Sequence, residues 1–152
     1  MNRSQPVLEP AAAAVARVLG KVGDVQSLLW AFAAAPEDMI AVYVDGDWEF
    51  DGSGTVGMDA LFGAVPASVS GSAIICAWVV KGDLMAPNAI LCDLDLDWAP
   101  SLIVGGSVHA RGMLLGGGHT RICGDLSLHG TLCGVSNHGE LDVLGPRTRT
   151  LS

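Results

Sequence analysis

A short phrase returns along this chain of 152 residues: an apolar residue, a spacer, Gly, Asp or Ser, then a second large apolar residue. It reads Val44-Asp45-Gly46-Asp47-Trp48, then Val80-Lys81-Gly82-Asp83-Leu84, Val104-Gly105-Gly106-Ser107-Val108 and Ile122-Cys123-Gly124-Asp125-Leu126. A degenerate last copy stands at Val143-Leu144-Gly145-Pro146-Arg147. Successive glycines of the phrase are 36, 24, 18 and 21 residues apart. A repeat of about 18 to 24 residues with period-two apolar alternation predicts a solenoid of parallel strands.

Aligning Gly82, Gly106 and Gly124 places Val80, Val104 and Ile122 at one inward position and Leu84, Val108 and Leu126 at the next. Ala86, Ala110 and Leu128 form a third inward set, which leaves Met85, His109 and Ser127 pointing outward. Glycine suits the corner because it accepts positive φ or a close backbone approach. The Asp that follows can bond backbone amides there. At the end of the chain, Pro146 removes a ladder donor and Arg147 stands where the pattern has Leu, and both discourage a further coil.

Residues 1–8 read as frayed. Ala11 to Leu19 is Ala- and Val-rich and is followed by Gly20, which predicts a short helix with a glycine C-cap. A second helix is expected from Val25 to Ala35, between an Asp24 N-cap and Pro36. The period changes after Met39, where Val42, Val44, Trp48 and Phe50 share one parity. The expected fold is therefore mainly β: one domain, a parallel β-helix (β-solenoid) over 39–152 with a short α-helical cap over 1–38. The helices would cover an open end of the solenoid. Between 52 and 72, Gly52, Gly54, Gly57 and Gly63 break the pattern, and either a degenerate coil or a loop with a short helix at Met58 to Phe62 fits.

Composition narrows the partners. Eight Lys and Arg against sixteen Asp and Glu give a formal charge of −8, which argues against nucleic acid and would steer a basic partner toward the surface. No run approaches the ~20 apolar residues of a membrane span. Glu9 and Pro10 interrupt the N-terminal apolar stretch where a secretory signal needs continuity, so a cytoplasmic location is expected. Cys76, Cys92, Cys123 and Cys133 form no CxxC pair and read as reduced structural thiols.

Tyr43-Val44-Asp45-Gly46-Asp47-Trp48, Val79-Val80-Lys81-Gly82-Asp83-Leu84 and Ser136-Asn137-His138-Gly139-Glu140-Leu141 resemble segments of bacterial polymer-forming, bactofilin-like proteins. The resemblance covers about residues 40–145 and implies a right-handed parallel β-helix. In bactofilins proper it implies end-to-end polymerisation into a scaffold. The helical N-terminal segment and the proline-bearing terminus of this chain depart from that pattern. Acidic β-helical proteins of the looser group also resemble immunity proteins, which occlude a partner toxin.

No chemical motif stands out. His109, His119, His129 and His138 lack the closely paired ligands of zinc sites, so no metal or cofactor is expected. Asp93, Asp95 and Asp97 alternate with leucines, which on a strand places three carboxylates on one face. That face is either a partner-facing strip or a solvated surface. Trp98 stands where an EF-hand loop needs Gly. Gly116-Gly117-Gly118 lacks the Lys-Ser/Thr of a phosphate loop and reads as a corner. No Ser-His-Asp elbow, H-E-x-x-H or six-residue acyltransferase period occurs. The sequence thus predicts a non-catalytic protein-binding solenoid of the immunity type, contacting a basic toxin through Asp93, Asp95, Asp97 and His109. The alternative is a self-associating, bactofilin-like cytoskeletal scaffold.

Overall fold

The apolar runs on either side of each glycine corner become strands. A computed structural model describes residues 5–19, 39–62, 74–92, 101–115, 119–130, 132–134, 140–143 and 147–149. In chain order the elements are β1 (Val7–Pro10), α1 (Ala11–Leu19), β2 (Met39–Val44), β3 (Trp48–Glu49), β4 (Gly54–Gly57), α2 (Met58–Leu61) and β5 (Ile74–Val80). There follow β6 (Leu84–Cys92), β7 (Ser101–Val104), β8 (Val108–Leu115), β9 (His119–Ile122), β10 (Leu126–Leu128), β11 (Leu132–Gly134), β12 (Glu140–Val143) and β13 (Arg147–Arg149). The protein is mainly β, and apart from the pairing of β1 with β2 its strand pairs are parallel.

Two sheets share the strands. The first has the order β1-β2-β5-β7-β9-β12, and the second runs β13-β10-β8-β6-β3, with β11 beside β8 and β4 beside β6. The register of the second sheet shifts between Ala86 and Ile90. Along its length β6 pairs first with β3 and then with β4, and β8 first with β10 and then with β11.

The inward ladders fall where the sequence places them. Val44, Val80, Val104 and Ile122 are in register on the first sheet. Leu84, Val108 and Leu126 are in register on the second, as are Ala86, Ala110 and Leu128. All ten side chains belong to one buried cluster. Phe62, just past α2, stacks on Trp48 and Trp78 with ring centroids 6.2 and 5.5 Å away, and the Trp48 indole donates to the Leu61 carbonyl at 3.0 Å. Of the stretch left open at 52–72, residues 52–62 hold both a strand and a helix and deliver an aromatic side chain to the core, and residues 63–72 lie outside the described residues.

Each corner is bonded to the one before it. The Gly82 N–H donates to the Gly46 carbonyl at 2.9 Å, Gly106 to Gly82 at 2.8 Å and Gly124 to Gly106 at 2.8 Å. The next residue uses a side chain: Asp83 N donates to Asp47 Oδ1 at 2.8 Å, Ser107 N to Asp83 Oδ1 at 2.8 Å and Asp125 N to Ser107 Oγ at 3.0 Å. Close approach, not positive φ, explains these glycines. A Cβ on Gly106 would fall on Asp83 Oδ1 and lie 2.9 Å from Gly82 carbonyl atoms, and one on Gly124 would lie 2.8 Å from those of Gly106. Left-handed φ is instead found at Gly54, at 79°, outside the repeating corners, while the φ of 159° at Gly46 is close to extended.

The N-terminal region differs from the expectation in two ways. Residues 7 and 8 are not frayed: Val7 pairs with Tyr43 and Leu8 with Val42 in an antiparallel strand on the edge of the first sheet. The helix expected at Ala11 to Leu19 forms, yet it lies across β2, β5 and β7 on the outer face of that sheet instead of over an end. The cause is the chemistry of that face. Ala41, Tyr43, Cys76, Ala77, Val79 and Ile103 are buried there against Ala11, Ala14 and Val15. The helix expected at Val25 to Ala35 lies outside the described residues.

Gly106→Ala is expected to destabilise the fold by about 2–4 kcal/mol, since backbone must move to admit the methyl group. Gly54→Ala, with open space but positive φ, should cost about 1 kcal/mol. Urea unfolding of both variants checks the order. Ser107→Ala should cost about 1 kcal/mol, for the lost acceptor at Asp125 N, and Ser107→Asp should keep the corner stable.

Candidate functional site

Two surfaces present functional groups. The first is a groove of about 530 Å³ on the outer face of the first sheet, lined by Gln5, Val7, Glu9, Arg17, Tyr43, Asp45 and Lys81. The pairing of Val7 with Tyr43 and of Glu9 with Ala41 brings alternate β1 residues beside the outward residues of β2. The last turn of α1 brings Arg17. Its guanidinium pairs with the Glu9 carboxylate and sits 4.9 Å from the centre of the Tyr43 ring. The Tyr43 hydroxyl donates to Asp45 Oδ1 at 2.9 Å, and Lys81 Nζ lies 3.7 Å from the same oxygen. Charges thus alternate along the groove around one phenol.

Bonding to Glu9 raises the Arg17 pKa above its ordinary value. The Tyr43 phenol is also held above its ordinary value, first by burial and then by its hydrogen bond to Asp45. The groups of the groove suit binding through paired charges.

The second surface is the outer face of the second sheet. Glu49, Met85, His109 and Ser127 are in register across β3, β6, β8 and β10. Met85, His109 and Ser127 are half-buried and Glu49 is exposed. His109 therefore stands on an outward row, as its position in the repeat requires. Asp93, Asp95 and Asp97 lie outside the described residues, so the strip they would form is not placed beside His109. His129 is exposed, His119 lies on β9, and His138 is outside the described residues. Among the described residues no group of three His, Cys, Asp or Glu side chains is placed to hold a metal. Among them also, no helix is long and apolar enough to cross a membrane.

Sequence reasoning missed the groove. Its signal was present in the odd parity of Val7, Glu9, Tyr43 and Asp45, which the expectation of a frayed N-terminus hid. Comparison with known proteins returns no matching family model, no matching curated protein and no matching solved structure.

Cys76, Cys92 and Cys123 are not in disulfides. Burial beneath α1 pushes the Cys76 thiol up from its ordinary 9.0 to about 11, and burial also raises Cys123. The stability contributed by the protonated Cys76 thiol is fully present below pH 9.0 and is lost as pH rises toward about 11. Unfolding curves across that window should show the loss, and Cys76→Ala should flatten it. In the native protein at pH 8, iodoacetamide is expected to modify the half-buried Cys92 well before the buried Cys76, which peptide mapping would reveal.

Proposed function

We propose that this chain is a non-catalytic β-solenoid that works by binding another protein, of the immunity type that occludes a basic toxin. The solenoid reading is supported by the corner-to-corner bonding and by the inward ladders of both sheets. The binding reading rests above all on the flat row of Glu49, Met85, His109 and Ser127, an outward surface on a chain of formal charge −8. The first sheet carries α1 on its outer face, which leaves the second as the broader docking surface. Its centre offers Met85 and an imidazole, and its edge a carboxylate. Such a mixture of a soft apolar side chain with polar neighbours suits a protein partner.

The antiparallel β1 favours a discrete particle over a scaffold. A copy adding to the first sheet end to end would have to pair with β1 rather than with the parallel strand β2. Pro6 and Pro10 bracket that edge and offer no N–H to an incoming strand. The scaffold reading keeps the opposite edges, β12 and β13, as its points of attachment.

Light scattering and negative-stain microscopy across salt and concentration are expected to give a monodisperse monomer or dimer. Filaments would overturn the occluding-protein reading. A basic toxin encoded beside this chain should bind in a salt-sensitive manner, and Met85→Arg with His109→Arg should weaken that binding at least tenfold while leaving the melting temperature near the parent's.

A further inference from the structure

The groove on the first sheet is separate from the proposed protein-binding face. It contains two carboxylates and two cations, so it is formally neutral within a chain of charge −8. Its parts differ in how firmly they are held. Tyr43 is buried, and Arg17 is fixed between Glu9 and the Tyr43 ring. Asp45 and Lys81 are loosely paired at 3.7 Å, with side chains 71% and 57% exposed. Val7, which also lines the groove, is the exposed large hydrophobic side chain of the described residues, at 46%.

A purely anionic ligand would compete with Glu9 and Asp45 for the cations and leave a carboxylate without its partner. A purely cationic one would do the reverse. A ligand with both charges exchanges partners without that imbalance. Its carboxylate pairs with Lys81 and Arg17, and its ammonium takes the place of the Lys81 ammonium beside Asp45. Guanidinium and carboxylate groups make the strongest hydrogen bonds of this kind. An apolar side chain between the two charges would then cover Val7, which is 46% exposed. The groove is roomier than one amino acid requires and lies within the range of small-ligand sites.

We propose that this groove binds a short zwitterionic peptide, a dipeptide with apolar side chains, held by Arg17 and Lys81 at its carboxylate and by Asp45 at its ammonium. The test is titration of the intact protein with leucyl-leucine by calorimetry and by amide NMR. The same titration is made with N-acetyl-leucyl-leucine, which lacks the ammonium, and with leucyl-leucine amide, which lacks the carboxylate. Saturable binding of leucyl-leucine near about 1 mM or tighter is expected, with each blocked peptide weaker by roughly tenfold. Asp45→Asn should bring leucyl-leucine down to the level of the acetylated peptide. Lys81→Gln should bring it toward the level of the amide. Both positions are largely exposed, so a melting curve near the parent's is expected for each variant. No saturation by about 10 mM, equal binding of the blocked peptides, or indifference to both substitutions would overturn the proposal.

Discussion

The stacking of one glycine corner on the next is the contact from which the architecture follows. Three successive N–H groups at each corner point to the corner before: Lys81 to the Val44 carbonyl, Gly82 to the Gly46 carbonyl and Asp83 to the Asp47 carboxylate. The same three bonds recur at Gly105, Gly106 and Ser107, and again at Cys123, Gly124 and Asp125. A parallel sheet leaves the polar groups of its connections to be satisfied separately. Here they satisfy one another, and the side chain after each glycine supplies an acceptor that the backbone lacks. The spacing this demands leaves no room for a Cβ, so glycine at these positions follows from distance. With the corners locked, the flanking residues are held in register, and the apolar side chains on both sheets stack like on like.

A stack built in this way has two weak points, its edges and any apolar outer face, and the N-terminal segment meets both. β1 closes the edge of β2 in the antiparallel sense. α1 covers the part of the outer face where Tyr43, Val79 and Ile103 stand in register. The next member of that row is Arg121, on β9. A helix of nine residues has little stability alone. Its buried face is Ala11, Ala14 and Val15, small side chains that let it lie close on the sheet, with the Arg17 and Glu9 pair at its far end.

This division separates two kinds of surface. The covered sheet ends in a groove whose charges are paired among themselves, a setting for selective contact with a small polar ligand. The other sheet presents an outward row with a methionine and a histidine at its centre, the face we propose for a protein partner. The acidic balance of the chain acts over a longer range and favours encounter with basic partners whichever surface makes the contact.

The sequence by itself determined the corners, the parity of the inward residues and the first helix, because each depends on contacts local in the chain or repeated at like positions. Val80, Val104 and Ile122 could be aligned by eye because neighbouring parallel strands in register need like residue types at like places. The positions of β1 and α1 were decided only in the tertiary structure. Alanine-rich residues 11–16 encode a helix but not what it covers, and the pairing of Val7 with Tyr43 joins residues far apart in sequence. Runs such as Met39 to Val44 and Ile74 to Val80, apolar on both parities, carried the clue that both faces of the first sheet are covered. Only the fold showed that one of those covers is the N-terminal segment itself. The groove depends on that meeting: Glu9, Arg17, Asp45 and Lys81 come from separate stretches of the chain, and no spacing rule links them until the strand and helix dock.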